Sequence, residues 1–214
     1  MSLVQTVITE NFILVGSETR GIKADGSFIE TVNKVIKVNN TIIFGCTGGV
    51  IDNYTLFDDF CDYSDENGLI PLKEEVKITY EDFVEFISKR FLAMYEKKHN
   101  NKNSVPYEIM SMICGYNGKE FEVVLLNINE NIDNCIMKIH KPLNFPYKGI
   151  SAGEAFHLSN LSDFIQDIYF NKNGNMTLLH YKNAMKYTFE IGAEKDDGIN
   201  DNLQFQVIRK KDVV

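Results

Sequence analysis

The sequence has 214 residues, of which 44% are hydrophobic and 24% charged, and its formal net charge is -8 at pH 7. These proportions are typical of a globular protein, and the length predicts a single domain spanning residues 1–214. The acidic balance argues against a nucleic-acid partner or an anionic membrane surface, since both need clustered Lys and Arg. No apolar run reaches the roughly 18 residues of a membrane span, and signal-peptide features are missing, so we expect a cytoplasmic protein.

Cysteine and histidine spacing gives no indication of a metal site. The four cysteines are widely scattered, and the four histidines lack the close spacing of zinc ligands on one helix. We therefore expect buried thiols in a reducing compartment, no bound metal and no cofactor.

The first fifty residues are typical of paired strands rather than helices. Four β-rich segments follow one another, with the sequences VQTVIT, NFILVGS, TVNKVIKV and TIIFGCT. Glu10-Asn11 joins the first two and Asn39-Asn40 the last two, at positions suited to tight turns. The Gly- and Asp-containing stretch GIKADGS between the two pairs predicts a loop.

Two amphipathic helices are predicted after this strand region. Gly48-Gly49 ends the strand pattern, and apolar residues then recur at three-to-four spacing, at Val50, Ile51, Tyr54, Phe57 and Phe60. Further on, Thr79 and Asp82 resemble a weak capping box. The apolar stripe that follows runs from Phe83 to Tyr95 and predicts the second helix.

The second half of the chain repeats this order. EIMSMICGY, KEFEVVLLNI and CIMKIH predict strands, with Asn117-Gly118 as a hairpin turn between the first two. Two helical stretches come next: Leu158, Leu161, Phe164, Ile165 and Ile168 in one, and Tyr181, Ala184, Met185 and Thr188 in the other. LQFQVIR predicts a last strand.

Runs of strands that alternate with pairs of helices exclude a parallel βαβ winding. The order predicts an α+β protein in which two antiparallel sheets pack together and helices cover both outer faces. We therefore predict a four-layer αββα sandwich.

Three strings, ILVGSETR, ETVNKVIKV and FGCTGGVIDNYTLFDDF, resemble the opening third of proteasome β-type subunits and of the bacterial proteasome-related ATP-dependent peptidase. These are N-terminal-nucleophile (Ntn) hydrolases, with an acidic residue and an arginine ending the second strand, a lysine on the third, and a double-glycine turn before the first helix. Glu18, Arg20, Lys34 and Gly48-Gly49 keep the family's separations without a gap. GISAGEA is similar to the glycine-rich turn before the family's third helix.

The resemblance implies that the catalytic nucleophile lies at the N-terminus of the processed chain. Its spacing places the nucleophile at Ser2, once Met1 has been removed. The freed α-amino group, with a pKa of roughly 7.7–8.0, would act as general base toward its own hydroxyl. If Met-Ser-Leu is instead a remnant of an expression vector, or if Met1 stays in place, this chemistry is not available.

The other matched positions would support that nucleophile. The resemblance implies that Lys34 is an ammonium beside the hydroxyl, that Glu18 pairs with it, and that Arg20 braces Glu18. The backbone N–H of Gly48 would donate to the oxyanion, a role worth roughly 3 kcal/mol in other acyl-transfer enzymes.

Three departures from the family leave alternatives open. The family commonly has Thr at the nucleophile and Asp where Glu18 stands, and its downstream aspartate would have to be replaced by Asp196 or Asp197. One reading is therefore a threonine-type-like amide hydrolase or peptidase, with a peptide or amide substrate. The other is a catalytically inactive, ring-forming or scaffolding protein; a small-molecule-binding protein is a more distant option.

The resemblance also implies a homo-oligomer, as a ring or a stacked dimer. The helix around Tyr54 and Phe57 is a candidate contact surface, although core burial would explain its aromatic residues equally well.

Overall fold

The computed structural model describes residues 3–22, 25–48, 78–100, 109–141, 144–153 and 160–213. Within these ranges the chain forms eleven strands and three helices. The strands are β1 (Val4–Thr9), β2 (Phe12–Glu18), β3 (Gly21–Ile22), β4 (Phe28–Ile29), β5 (Val35–Lys37), β6 (Ile42–Gly48), β7 (Ile109–Tyr116), β8 (Phe121–Asn127), β9 (Ile136–His140), β10 (Tyr147–Ala152) and β11 (Leu203–Arg209). The helices are α1 (Tyr80–Asn100), α2 (Leu161–Asn171) and α3 (Leu178–Lys195). None of the helices in the described ranges is long and apolar enough to cross a bilayer.

Most strands belong to two antiparallel sheets. The first sheet has the order β10-β1-β2-β11, and the second has the order β5-β6-β7-β8-β9. Strands β3 and β4 pair with each other and form a separate short ribbon in the described part of the chain, between β2 and β5 in the sequence. Within the described ranges, the pairs β1–β2, β5–β6, β7–β8 and β8–β9 join strands that are close in the sequence. β6 and β7 pair although α1 lies between them in the chain, and β10 and β11 return from the second half of the chain to flank β1 and β2.

Three apolar layers hold the sheets and helices together. One lies between the two sheets and includes Val4, Ile8, Val15, Met112 and Val123. A second lies between α1 and the outer face of the second sheet, and a third lies between the first sheet and the pair α2 and α3. The order of layers is therefore helix, sheet, sheet, helix, which confirms the predicted αββα sandwich.

Strand β1 shows why this sequence occupies the middle of the first sheet. All six of its residues are buried. Val4 and Ile8 face the other sheet, while Val7 joins the apolar layer under α2 and α3.

Because alternate side chains point to opposite faces and both faces are covered, the polar residues of β1 are buried too and need partners. Gln5 Oε1 accepts from Thr188 Oγ1 at 2.7 Å. Thr6 Oγ1 donates to Met112 Sδ at 3.2 Å.

Two local predictions are confirmed in detail. Gly118 occupies the β7–β8 turn with φ of 86°, a conformation that glycine adopts without a steric penalty. At the start of α1, the Asp82 N–H donates to Thr79 Oγ1 at 3.1 Å, and Thr79 Oγ1 donates to Asp82 Oδ2 at 2.7 Å. The capping residues recognised in the sequence therefore do begin this helix.

Other segments differ from the prediction. β5 covers only three residues of the predicted strand TVNKVIKV, and the predicted loop GIKADGS begins with β3, whose partner β4 directly follows the loop. The segment GISAGEA, which resembles a glycine-rich turn, belongs to β10 as far as Ala152, where it pairs with β1. The chain bends only at Gly153. The first predicted helix, around Tyr54 and Phe57, and Leu158 of the third lie outside the described residues.

Candidate active site

Glu18 and Lys34 form a buried ion pair at one end of the sandwich. Glu18 is the last residue of β2 and has 0% exposure, while Lys34 immediately precedes β5 and is 5% exposed. The Lys34 Nζ donates to Glu18 Oε1. The ion pair thus connects the end of β2 in the first sheet to the residue before β5 in the second sheet.

The start of β1 also contacts this carboxylate. The backbone N–H of Leu3 donates to Glu18 Oε1 at 3.2 Å, and the N–H of Arg20 donates to Glu18 Oε2 at 2.7 Å. Antiparallel pairing of β1 with β2, in which Val4 lies opposite Ser17, brings these groups together. Both carboxylate oxygens therefore have donors, as a buried charge requires.

Burial shifts the pKa values of the two partners toward each other. It raises the pKa of Glu18 and lowers the pKa of Lys34, and in each case the opposite charge of the partner counteracts only part of the shift. The Lys34 ammonium therefore releases its proton more readily than an exposed lysine does. A lysine in this state can exchange a proton with a neighbouring hydroxyl or amine.

Arg20 reaches Glu18 through its backbone, and its side chain points elsewhere. The guanidinium donates to Glu30 Oε1 at 2.9 Å and to the carbonyl oxygens of Asp197 and Ile199, at 2.6 and 3.3 Å. It also lies over the Phe28 ring, 4.8 Å from the centroid. The hydrogen bond from Arg20 to Glu18 comes from the peptide N–H, and the guanidinium donates to Glu30 and the α3–β11 turn.

Gly48 lies on the strand that runs past Lys34. The N–H of Cys46 donates to the Lys34 carbonyl oxygen at 2.9 Å, and Gly48 follows two residues later at the end of β6, opposite Ile109 of β7. Ser2, the expected nucleophile, lies outside the described residues. Of the five predicted site positions, Glu18, Lys34 and the Arg20 N–H are in contact, and Gly48 lies two residues beyond the Cys46 that binds the Lys34 carbonyl oxygen. The roles of all five remain a proposal.

The two aspartates considered as downstream partners lie in the turn between α3 and β11. Asp197 contributes its carbonyl oxygen to Arg20. Asp196 Oδ1 accepts the Gly198 N–H at 2.7 Å, whereas its Oδ2 is buried without a hydrogen-bond partner in the described part of the chain. This turn is thus connected to the site through Arg20.

Sequence reasoning missed three polar residues next to the ion pair. Thr19, Glu30 and Asn200 form a hydrogen-bonded group just beyond β2, with Asn200 Oδ1 accepting the Thr19 N–H at 3.0 Å. Asn200 is far from Thr19 in sequence, and no spacing pattern connects them. Asn200 lies three residues before β11, and no sequence signal distinguishes it from the other polar residues of that turn.

Comparisons with known proteins agree with this fold. No known family and no curated protein matches the sequence. Among solved structures, the chain is similar to eukaryotic HslV from Trypanosoma brucei, with a TM-score of 0.58 and 9% sequence identity over 97% of this chain and 99% of that chain. At this identity the likeness is one of fold, so the chain has the proteasome-like Ntn-hydrolase fold.

Proposed function

We propose that this protein is an Ntn-type amide hydrolase, a proteasome-like peptidase, in which Ser2 is the nucleophile after removal of Met1. The observation that carries the proposal is the buried Glu18–Lys34 pair, whose carboxylate accepts the Leu3 N–H at 3.2 Å. Leu3 directly follows Ser2 in the sequence, which is why this contact supports the proposal.

The reaction would proceed through an acyl-enzyme. The freed α-amino group of Ser2 takes the hydroxyl proton as Oγ attacks the amide carbon, and the C–N bond breaks as that proton passes to the leaving amine. Water then attacks the ester, which releases the acid and restores the Ser2 hydroxyl. The Gly48 N–H is suited to stabilise the oxyanion that forms in both steps.

Lys34 has two possible contributions to this reaction. As an ammonium it favours the developing alkoxide on Ser2. Since burial lowers the pKa of Lys34, the amine can also carry a proton between the hydroxyl and the leaving group. In either case Glu18 fixes the position of Nζ.

The resemblance and the fold support a peptide or amide substrate and a homo-oligomer, as a ring or a stacked dimer. We also propose that residues 1–214 act as one domain and that the protein works in the cytoplasm. No nucleic-acid or membrane partner enters the proposal, because the net charge of -8 opposes both.

Mass spectrometry of protein purified from its own cells tests the first requirement, which is loss of Met1. We then expect the processed protein to hydrolyse fluorogenic peptides, Ser2→Ala to abolish turnover, and Ser2→Thr to retain part of it, because threonine keeps the hydroxyl and the α-amino group. A processed chain that cleaves no amide would contradict the proposal.

A catalytically inactive, ring-forming or scaffolding protein is the alternative. One observation favours it: the Glu18–Lys34 pair and its backbone donors satisfy each other, so the group could be retained for stability alone. Retention of Met1 in native protein, with no loss of function on Ser2→Ala, would support this alternative.

A further inference from the structure

Asn200 fixes the backbone directly after Glu18. It is 5% exposed and lies in the connection that leads into β11. Its Oδ1 accepts the Thr19 N–H at 3.0 Å, and its Nδ2 donates to Glu30 Oε2 at 2.7 Å and to Thr19 Oγ1 at 3.3 Å. A single amide side chain therefore connects two segments that are far apart in the sequence.

Glu30 extends this connection to Arg20. One of its carboxylate oxygens accepts from Asn200, and the other accepts from Arg20 Nε at 2.9 Å. Its carbonyl oxygen accepts Thr19 Oγ1 at 2.7 Å. The hydrogen bonds to Asn200 and Arg20 favour the ionised carboxylate and lower the pKa of Glu30.

These contacts hold the peptide whose N–H binds the site carboxylate. Thr19 is held by Asn200 and Glu30, and Arg20, whose N–H donates to Glu18 Oε2, is held by Glu30 and by the α3–β11 turn. We propose that Asn200 and Glu30 are positioning residues that fix the Glu18 carboxylate for its pairing with Lys34. The proposal deepens the proposed function, and its catalytic consequence rests on that function.

Lys34 is the charged side chain that acts directly on Glu18, and the other charges of this region must be separated from the positioning effect. Lys34 comes from the segment before β5, Arg20 follows β2, Glu30 follows β4, and Asp196 and Asp197 lie in the α3–β11 turn. Asn200→Ala changes none of these charges. A change in the Lys34 titration caused by this variant would therefore arise from geometry and not from a lost charge.

The test is the pH titration of the Lys34 side chain by NMR, in protein with 13C-labelled lysine, with the signal assigned from Lys34→Met. In Asn200→Ala we expect the Lys34 midpoint to fall by about one pH unit, because a displaced Glu18 stabilises the ammonium less. The matched control is Asn39→Ala, which removes an amide side chain that binds Thr41 and Ile78 at another turn. Its Lys34 midpoint should equal that of the unmodified protein.

A second variant keeps the test decisive if Asn200→Ala does not fold. The Glu30 side chain is 52% exposed, so Glu30→Ala should fold, and it should lower the Lys34 midpoint as well. Glu30→Gln is its control, because it loses the same charge but keeps a side-chain oxygen for Asn200; a larger fall of the midpoint in Glu30→Ala than in Glu30→Gln measures the geometric part. In active, processed protein we expect Asn200→Ala and Glu30→Ala each to lower kcat roughly tenfold with little change in KM.

The titration requires neither Ser2 nor turnover, so it remains informative if the protein proves to be inactive. Midpoints that stay unchanged in both Asn200→Ala and Glu30→Ala would overturn the positioning role, even if both variants melt at a lower temperature. A shifted midpoint in a protein without hydrolase activity would support the positioning role and contradict the proposed function.

Discussion

An ammonium group with 5% exposure, as at Lys34, is unfavourable unless its charge is compensated. Glu18 supplies that compensation and is itself held by the Leu3 and Arg20 N–H groups. The two charges therefore depend on each other, and removal of one leaves the other buried and unpaired.

This dependence predicts the stability of single variants at the pair. We expect Lys34→Met to lower the free energy of unfolding by about 3–5 kcal/mol at neutral pH, because methionine fills a similar volume but leaves the Glu18 charge uncompensated. Urea denaturation followed by circular dichroism measures the change.

The double variant Glu18→Leu with Lys34→Met is the control. It replaces both charges by apolar groups and should recover most of the lost stability. If it is as unstable as Lys34→Met, the loss comes from packing and not from an unpaired charge.

At the scale of residues, the sequence identified the charged partners but not the hydrogen bonds that hold them. Glu18, Arg20 and Lys34 could be found because a family resemblance fixes their separations. Asn200 could not, since its contact with Thr19 depends on how β11 returns to pair with β2. The donor of Arg20 was also missed, because every residue type except proline carries a backbone N–H.

Among the elements, α1 depends on a defined first turn. Its N-cap, Thr79, accepts the Asp82 N–H, and its carbonyl oxygen accepts the Phe83 N–H at 3.1 Å. The contact with Asp82 satisfies a donor that the first turn of a helix otherwise leaves without a partner, and the contact with Phe83 is the first regular helical hydrogen bond.

We expect Thr79→Ala to destabilise the protein by about 1 kcal/mol and to speed amide exchange at Asp82, because the side-chain acceptor is lost. Thr79→Ser keeps that acceptor and should behave like the unmodified protein. Hydrogen exchange read by NMR, together with thermal unfolding, distinguishes the two variants. Equal stability of Thr79→Ala and Thr79→Ser would show that the cap contributes nothing.

Elements with strong local signals were predictable, and those defined by distant partners were not. The β7–β8 hairpin and the start of α1 follow from turn and cap residues that lie next to each other in the sequence. β5 is shorter than its β-rich sequence predicts because it is an edge strand with β6 as its one sheet neighbour. The end of β10 could not be predicted as a strand, because its pairing with β1 joins residues more than 130 positions apart in the sequence.

For the molecule as a whole, buried thiol and phenol groups determine how the free energy of unfolding changes at alkaline pH. Burial raises the pKa of Cys114 from 9.0 to about 12 and that of Tyr181 from 10.0 to about 12, and it also raises the pKa of Tyr80. In the unfolded chain these groups lose their protons first. The free energy of unfolding is therefore unaffected by them below about pH 9 and decreases as the pH rises from there toward 12.

Urea denaturation at intervals from pH 7 to 11 should show this decrease. Tyr80→Phe removes one of the responsible groups, so we expect its stability to decline less steeply above pH 10. Tyr187→Phe, at an exposed position on α3, is the matched control and should follow the unmodified protein. Parallel curves for Tyr80→Phe and the unmodified protein would contradict the assignment to Tyr80.

The ion pair spans the two halves of the sandwich, since Glu18 ends a strand of the first sheet and Lys34 introduces a strand of the second. A chain in which one sheet has formed alone therefore holds only one of the two charges in place. The complete pair therefore requires the two sheets to dock. A nascent or misfolded copy would lack the proposed catalytic arrangement.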